Sequence, residues 1–233
     1  VAEVVQRRRE RLRAQTAEDI KAIALRLLAE GGPDAISLRA IARDMGMTAG
    51  AIYGYYATRD DLITMLIGDV YGRLVDAVET ARDQVPADDA AGRVVAWGEA
   101  VRRWALANPE GFRLIYGDPV PGYQPPPRGP AAEAGARACT GLVGLVAAAW
   151  PHAAALQDDP AVTWSDFDAD LAAHVQADFP ELPPSAVALA LRAWGRMHGL
   201  IALEIYGHLG PQSHDPAKLY HAEMVDLVRS LGL

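Results

Sequence analysis

The 233-residue chain is 51% apolar, long enough to bury a substantial core in one large domain or in a small domain joined to a medium one, so disorder is excluded for most of it. Its formal charge of -8 argues against a uniformly basic nucleic-acid binder, and its single cysteine, Cys139, excludes an internal disulfide and a cysteine-built metal site. The charge is unevenly spread: residues 1–60 hold 10 Lys and Arg against 8 Asp and Glu, or +2, leaving 12 against 22, or -10, for residues 61–233.

No strand-like alternation persists, whereas apolar residues recur at three- and four-residue spacing throughout, which predicts an all-α fold. The opening VAEVVQRRRERLR has no apolar signal core, so a cytoplasmic protein without a secretion signal is expected. Its basic run, Arg7 to Arg13, reads as a solvated tail or as a flexible arm that adds phosphate or minor-groove contacts. A first helix is predicted over 16–30, with Ile20, Ile23, Ala24, Leu27 and Leu28 on one face, Thr16 and Asp19 as a capping box, and Gly31, Gly32 and Pro33 as its stop. Short helices follow at 38–45 and 48–56. A longer one starts at Thr58, capped by the Thr58 and Asp61 pair, buries Leu62, Leu66, Ile67 and Val70, and runs to about residue 83 as a connector.

Beyond Pro86, helices are predicted over 90–107, 109–116, 130–155, 165–178, 184–209 and 216–231. Residues 118–130, DPVPGYQPPPRGP, hold six prolines in thirteen and predict an extended surface connector. The longest weakly charged run, around 140–150, is short of the roughly 20 residues of a membrane span and reads as a buried helix.

The most specific pattern is SLRAIARDMGMTAGAIYGYYATRDDL. With Leu38 as the first helical residue, Ala42 is the small residue where two short helices cross, and Gly46 supplies the positive φ of the turn between them. Leu38, Ile41, Met45, Met47 and Ile52 are the apolar contacts, and Thr48 caps the second helix, whose first turn faces a DNA major groove. The stretches Ser37-Leu38-Arg39-Ala40-Ile41-Ala42, Gly46-Met47-Thr48, Gly50-Ala51-Ile52-Tyr53, Tyr55-Tyr56 and Asp61-Leu62 resemble the DNA-binding signature of the tetracycline-repressor (TetR) family, over about residues 16–71. Tyr56 departs from the Phe more frequent in the family.

That resemblance implies a three-helix helix-turn-helix domain over 14–76 and an all-helical ligand-binding and dimerisation domain over 77–233. Position by position it implies base-edge or close groove contact by Arg39, Ala49, Gly50 and Gly54, phosphate contact by Thr48, Tyr53, Tyr55 and Arg59, and places Ser37 in the same set. Arg39 suits a bidentate fork on guanine, and the hydroxyls of Thr48 and Tyr53 suit phosphate oxygens. A bland alternative for Tyr53 is a core aromatic with an exposed tip.

Further on, Ala193-Trp194-Gly195-Arg196-Met197-His198-Gly199-Leu200 and Asn108-Pro109-Glu110-Gly111-Phe112-Arg113-Leu114 resemble a Trp–His–Gly regulatory subgroup of the same family. Leu191, Trp194, His198, Ile201 and Ile205 form one stripe and Ala188, Gly195, Gly199 and Ala202 a neighbouring small-residue stripe, while Tyr220, Met224, Leu227, Val228 and Leu231 line the last helix. Gly195, Gly199, Ala202, Met224, Leu227, Val228 and Leu231 are therefore the expected homodimer interface, the alternative being that both stripes serve only the monomer core, and Trp104, Phe112, Tyr116, Trp194 and His198 are the expected effector-binding residues. The six histidines form no metalloprotease pair and the paired acids no DDxxD, so no metal, cofactor or catalytic set is expected. The expected partners are an operator duplex, a second copy of the chain and a small effector, without a membrane. An all-α enzyme acting on an apolar molecule and a ligand-independent architectural DNA protein are the alternatives.

Overall fold

The computed structural model of the protein describes residues 2–233; Val1, the first residue of the opening segment, lies outside them. Among the described residues there are ten α-helices and no strand, as the apolar spacing requires: α1 (Ala2–Gly31), α2 (Leu38–Asp44), α3 (Ala49–Tyr53), α4 (Arg59–Asp83), α5 (Ala90–Ala107), α6 (Pro109–Tyr116), α7 (Pro130–Gln157), α8 (Ala169–Asp178), α9 (Pro184–Ile205) and α10 (Pro216–Ser230). The chain forms two compact units, one of residues 1–71 with 108–133 and the other of 72–107 with 134–233. By their contacts α6 and the proline-rich connector group with the first unit. Helix α6 packs on α1. Within the connector Val120 is buried, Pro121 offers its carbonyl to Arg59 at 3.3 Å, and the Tyr123 hydroxyl meets that of Thr64 at 3.0 Å. The connector is thus irregular and mostly exposed, as expected, and is anchored at these residues.

In the first unit, helix limits follow local chemistry. Helix α1 begins at Ala2 instead of residue 16, because AEVVQRRRERLR contains no Gly or Pro and is rich in good helix formers, with Gln6 bonded to Glu10 at 2.7 Å. The basic run is therefore helical, and Arg7 to Arg13 are exposed along it. The Thr16 hydroxyl donates back to the Leu12 carbonyl at 2.9 Å, so it is a mid-helix residue, not a cap. The Thr58 and Asp61 pair does form a reciprocal capping box, with both bonds at 3.0 Å. Ile20, Ala24, Ile36, Ile41, Ile52, Leu62 and Ile63 are fully buried, and each large side chain of this kind contributes about 1.5–3 kcal/mol. One charge lies among them: the Lys21 ammonium donates to Glu18 and Asp69, tying α1 to α4.

The second unit is built on α5, α7, α9 and α10, with α10 packed on α5 and α9. Tyr220 and Met224 fill the space beside Gly98, where a Cβ would overlap the Met224 sulfur, and the Tyr220 hydroxyl donates to the Gly98 carbonyl at 3.0 Å. Arg102 forks onto Glu204 at 2.9 and 2.7 Å, joining α5 to α9. Helix α9 stops at Ile205, short of the expected 209, because Gly207 takes φ +80° and the His208 amide closes onto the Leu203 carbonyl at 2.8 Å. Helix α7 is long and apolar enough, by length and composition, to cross a membrane, longer than the run of about eleven residues suggested. Val143, Leu145, Val146, Ala149 and Ala153 on it are buried in this unit, which makes it a core helix.

Candidate nucleic-acid interface and ligand cavity

Two short helices and a glycine turn present the DNA-contact candidates. The Ser37 hydroxyl oxygen caps α2 by accepting from the Ala40 amide at 3.1 Å, and Thr48 caps α3 by accepting from the Ala51 amide at 3.2 Å. Each hydroxyl keeps its own hydrogen for a second partner, so capping and phosphate binding are compatible. Gly46 takes φ +64° between the helices, as the turn demands, and the Met47 amide returns to the Ala42 carbonyl at 2.8 Å. Ile52 is fully buried, which turns Ala49, Gly50, Tyr53 and Gly54 outward; all four are exposed, Tyr53 by 47%, against its reading as a core aromatic. A Cβ on Gly50 would meet nothing in its own chain, so its missing side chain serves no internal packing. A groove beside α3 is lined by Ser37, Arg39, Tyr53, Thr58 and Arg59, bringing four of the sequence candidates to one place.

Arg59 is not simply presented to solvent. Its Nε donates to the Ile36 carbonyl at 2.8 Å and its Nη1 to the Pro121 carbonyl, so it buttresses the loop before α2 as well as bordering the groove. Sequence reasoning missed Arg13. Its guanidinium donates to the Gly54 carbonyl, the C-cap of α3, at 2.6 Å and lies 5.0 Å over the Tyr55 ring. A cation on the carbonyl end of α3 fixes that end both electrostatically and by position. Within RRRERLR nothing distinguishes this arginine from its neighbours; only the packing of α1 beside α3 does.

The expected effector residues fall in different units. Phe112 and Tyr116 lie in the first unit, where Tyr116 packs on Phe112 at 5.2 Å and edge-on against Tyr71 at 5.8 Å. Burial pushes the Tyr116 phenol far above its ordinary value. Trp194 and His198 lie on α9, their rings 5.1 Å apart, with the Trp194 indole donating to His198 Nε2 at 3.3 Å. Burial there pushes the His198 imidazole down to about 4. Trp104 is half-buried on α5. Aromatic spacing in sequence cannot separate these surroundings, since α6 folds onto α1 and Trp194 faces outward. A cavity of 440 Å³ occurs elsewhere, among α4, α5 and α7 of the second unit. Glu79, Arg82, Arg93, Arg137, Gly144, Leu145, Ala148 and Phe179 line it, with none of the five expected residues.

The expected dimer residues also divide. Met224, Leu227, Val228 and Leu231 are buried in the unit's own core, so they are corrected from an interface to a core role; α10 spends its apolar stripe on α5. Gly195 and Gly199 are exposed, and a Cβ on either meets nothing in the chain. Beside them Leu191, Trp194, Leu203 and Tyr206 are each at least 40% exposed.

Residues 20–65 match the model of bacterial regulatory proteins of the tetR family, and residues 94–227, which include the Trp194-to-Gly199 segment, match that of a Tetracyclin repressor-like C-terminal domain. HTH-type transcriptional regulators of Mycobacterium bovis and Mycobacterium tuberculosis are 36% identical over 228 residues, 94% of this chain and 94% of theirs. The crystal structure of the regulatory protein SCO4313 is 38% identical with a TM-score of 0.74, covering 94% of this chain and 97% of that one. A tetR-family regulatory protein from Rhodococcus RHA1, 20% identical with a TM-score of 0.61 over 93% of this chain and 96% of its own, shares the fold.

Proposed function

The chain belongs to the TetR family of transcriptional regulators, and from that premise we propose that it is a ligand-responsive repressor, binding a near-palindromic operator as a homodimer in the cytoplasm and released by a small effector. The family and the relatives are regulators, not enzymes, which sets the all-α enzyme aside. The observation that carries the reading is the outward turn of α3, where Ala49, Gly50 and Gly54 leave the backbone bare beside Arg39, Thr48 and Tyr53. Bare backbone admits close approach of a groove floor. Arg39 reads a base edge, while Thr48, Tyr53 and Tyr55 hold phosphates and Arg13 steadies α3 from behind.

The bare stripe of Gly195 and Gly199, flanked by Leu191, Trp194, Leu203 and Tyr206, supports α9 as the dimer helix. Each interior Gly lowers helix propensity by about 1 kcal/mol relative to Ala, which a close helix crossing offsets. The 440 Å³ cavity supports the effector site. Glu79 and Arg82 in its wall stand on α4, the helix that begins at Arg59 in the first unit, so one continuous helix links the cavity to the head. An effector that prefers an α4 position unsuited to the groove weakens operator affinity by that difference in affinity, and by nothing else.

Selection of bound duplexes from a random library tests this reading. A palindrome with half-sites about 34–36 Å apart, or a multiple, is the expected result. Arg39→Ala relaxes preference at one base position and Tyr53→Phe weakens all sites evenly. A library that yields no enriched motif at low or moderate salt overturns the assignment.

A further inference from the structure

We propose that the amino-terminal half of α1 is a second DNA-contact element, in which Arg9 holds a backbone phosphate outside the groove that α3 enters. This rests on the operator-binding reading above and extends it to the flank of each half-site. Residues 5–15 form about three turns of helix in which every residue is exposed. A helix that is polar all round calls for a partner surface or for ion pairs along its own length. The charges of this segment do not balance. Residues 1–17 hold five arginines, Arg7, Arg8, Arg9, Arg11 and Arg13, against two carboxylates, Glu3 and Glu10, a surplus of +3. Glu10 accepts from Gln6 at 2.7 Å. The next acids on α1 are also engaged, Glu18 by Lys21 at 2.6 Å and Asp19 by Gln15 at 3.0 Å. Asp61, which borders this part of α1 from α4, is bonded to the Thr58 amide at 3.0 Å. Arg9 and Arg13, like Arg7 and Arg11, stand four residues apart, a spacing at which like charges repel. A polyanion laid beside the helix relieves that repulsion.

Arg13 fixes where the surplus lies. Its guanidinium holds the Gly54 carbonyl at the carboxy-terminal end of α3 at 2.6 Å and stands over the ring of Tyr55, a phosphate candidate. Arg9, four residues earlier, is about 6 Å further along the axis and about 40° round it, so it leaves α1 on the same face. That face meets the end of α3 at Arg13 and continues outward as Arg9. Arg11 lies two residues from each, about 160° round, on the opposite face. Phosphates recur along one DNA strand at a rise of about 3.4 Å, so a cation about 6 Å beyond the end of α3 matches the next phosphates outward from the one assigned to Tyr55. Arg13 is committed to a carbonyl, whereas Arg9 makes no ion pair among the described residues.

Other partners fit this surface less well. Among the described side chains of the segment the large apolar ones are Val5 and Leu12 alone, too little for a bilayer surface or a protein groove. The duplex backbone asks only for cations held at a spacing, and it supplies no sequence information in return. The contact therefore adds affinity and lengthens the footprint without adding bases to the recognised motif.

The test uses the full chain and two duplexes carrying the selected motif, one cut at its ends and one with about six further base pairs of arbitrary sequence on each side. Arg9→Gln removes the charge and keeps helix propensity, Arg9→Lys keeps the charge, and Arg11→Gln removes a charge from the opposite face. Circular dichroism establishes that each is folded. On the long duplex, Arg9→Gln should make the plot of log affinity against log salt shallower by about 0.9 per head, or about 1.8 for two heads. Its deficit against wild type should then narrow about tenfold between about 50 and about 200 mM salt. Arg9→Lys should keep the wild-type slope, and Arg11→Gln should stay within about twofold of wild type throughout. Wild type should prefer the long duplex at least about fivefold, whatever the flanking sequence, and Arg9→Gln should lose that preference. The inference is overturned if Arg9→Gln keeps the wild-type slope, if Arg11→Gln loses as much as Arg9→Gln, or if trimming the flanks leaves wild-type affinity unchanged. Any of these with wild type still bound to its motif overturns the α1 contact alone, whereas a wild type that selects no motif overturns the operator reading on which it rests.

Discussion

Replacing Gly199 with glutamate separates the dimer from the fold. In one chain the substitution is benign or helpful: a Cβ at Gly199 meets no atom within 4 Å, the position is exposed, and Glu is a better helix former than Gly by roughly 0.5 kcal/mol. Across a two-fold α9 crossing the same side chain places a carboxylate, twice by symmetry, against Leu203, Trp194 and the partner backbone. An uncompensated buried charge costs about 3–5 kcal/mol, so even with half of that recovered by side chains bending to water the two symmetric charges together still cost about 3–5 kcal/mol, and the dimer should dissociate at least about 100-fold more readily, at about 1.4 kcal/mol per tenfold. Sedimentation velocity over a micromolar concentration series should find the wild type as dimer and Gly199→Glu as monomer. Circular dichroism should show equal helicity and an unchanged or raised thermal midpoint. Operator affinity should fall, because two heads no longer bind as a unit. A folded Gly199→Glu protein that remains dimeric at the same concentrations refutes the α9 interface.

Met224→Ala is the counterpart in α10: it opens a cavity beside Gly98 and should destabilise the fold by about 2–5 kcal/mol in urea titrations, while folded molecules keep the wild-type dimer mass. A change of mass without loss of stability would return Met224 to an interface. Arg13→Ala should weaken operator binding through a loosened α3 while leaving the slope of log affinity against log salt unchanged, whereas loss of a phosphate contact lowers that slope by about 0.9; a lowered slope makes Arg13 a DNA contact. His198, held down to about 4 by burial, gives the sign of one pH effect. The unfolded chain takes up the proton first as pH falls below the ordinary 6.5, so stability is lost between 6.5 and about 4 and no further below it. Thermal midpoints from pH 7 to 4.5 should fall more steeply in wild type than in His198→Gln; parallel curves refute it.

What was legible in the sequence was local. Helix periods, the Gly46 turn, the Thr48 cap and the Thr58–Asp61 box depend on residues within a few positions of each other, and so does the outward face of α3 once Ile52 is known to point inward. The stretch before residue 16 was misjudged for the opposite reason: an exposed charged helix has no apolar period to announce it, and only its composition favours it. Whatever depended on which faces meet was decided by the tertiary structure. Two apolar stripes on α9 and α10 look alike in sequence, yet α10 is consumed by α5 and α9 keeps its outer side bare. Phe112 and Tyr116 look like neighbours of Trp194 and His198 in a list of aromatics, but α6 packs on α1 and takes them into the first unit. Arg82, Arg93 and Arg137 belong to no local motif, and only the packing of α4, α5 and α7 brings them around one cavity. A short-range pattern fixes where a helix starts, stops and turns an apolar side, because those energies arise within one or two turns; which neighbour buries that side is a competition among distant surfaces, and only the folded chain resolves it.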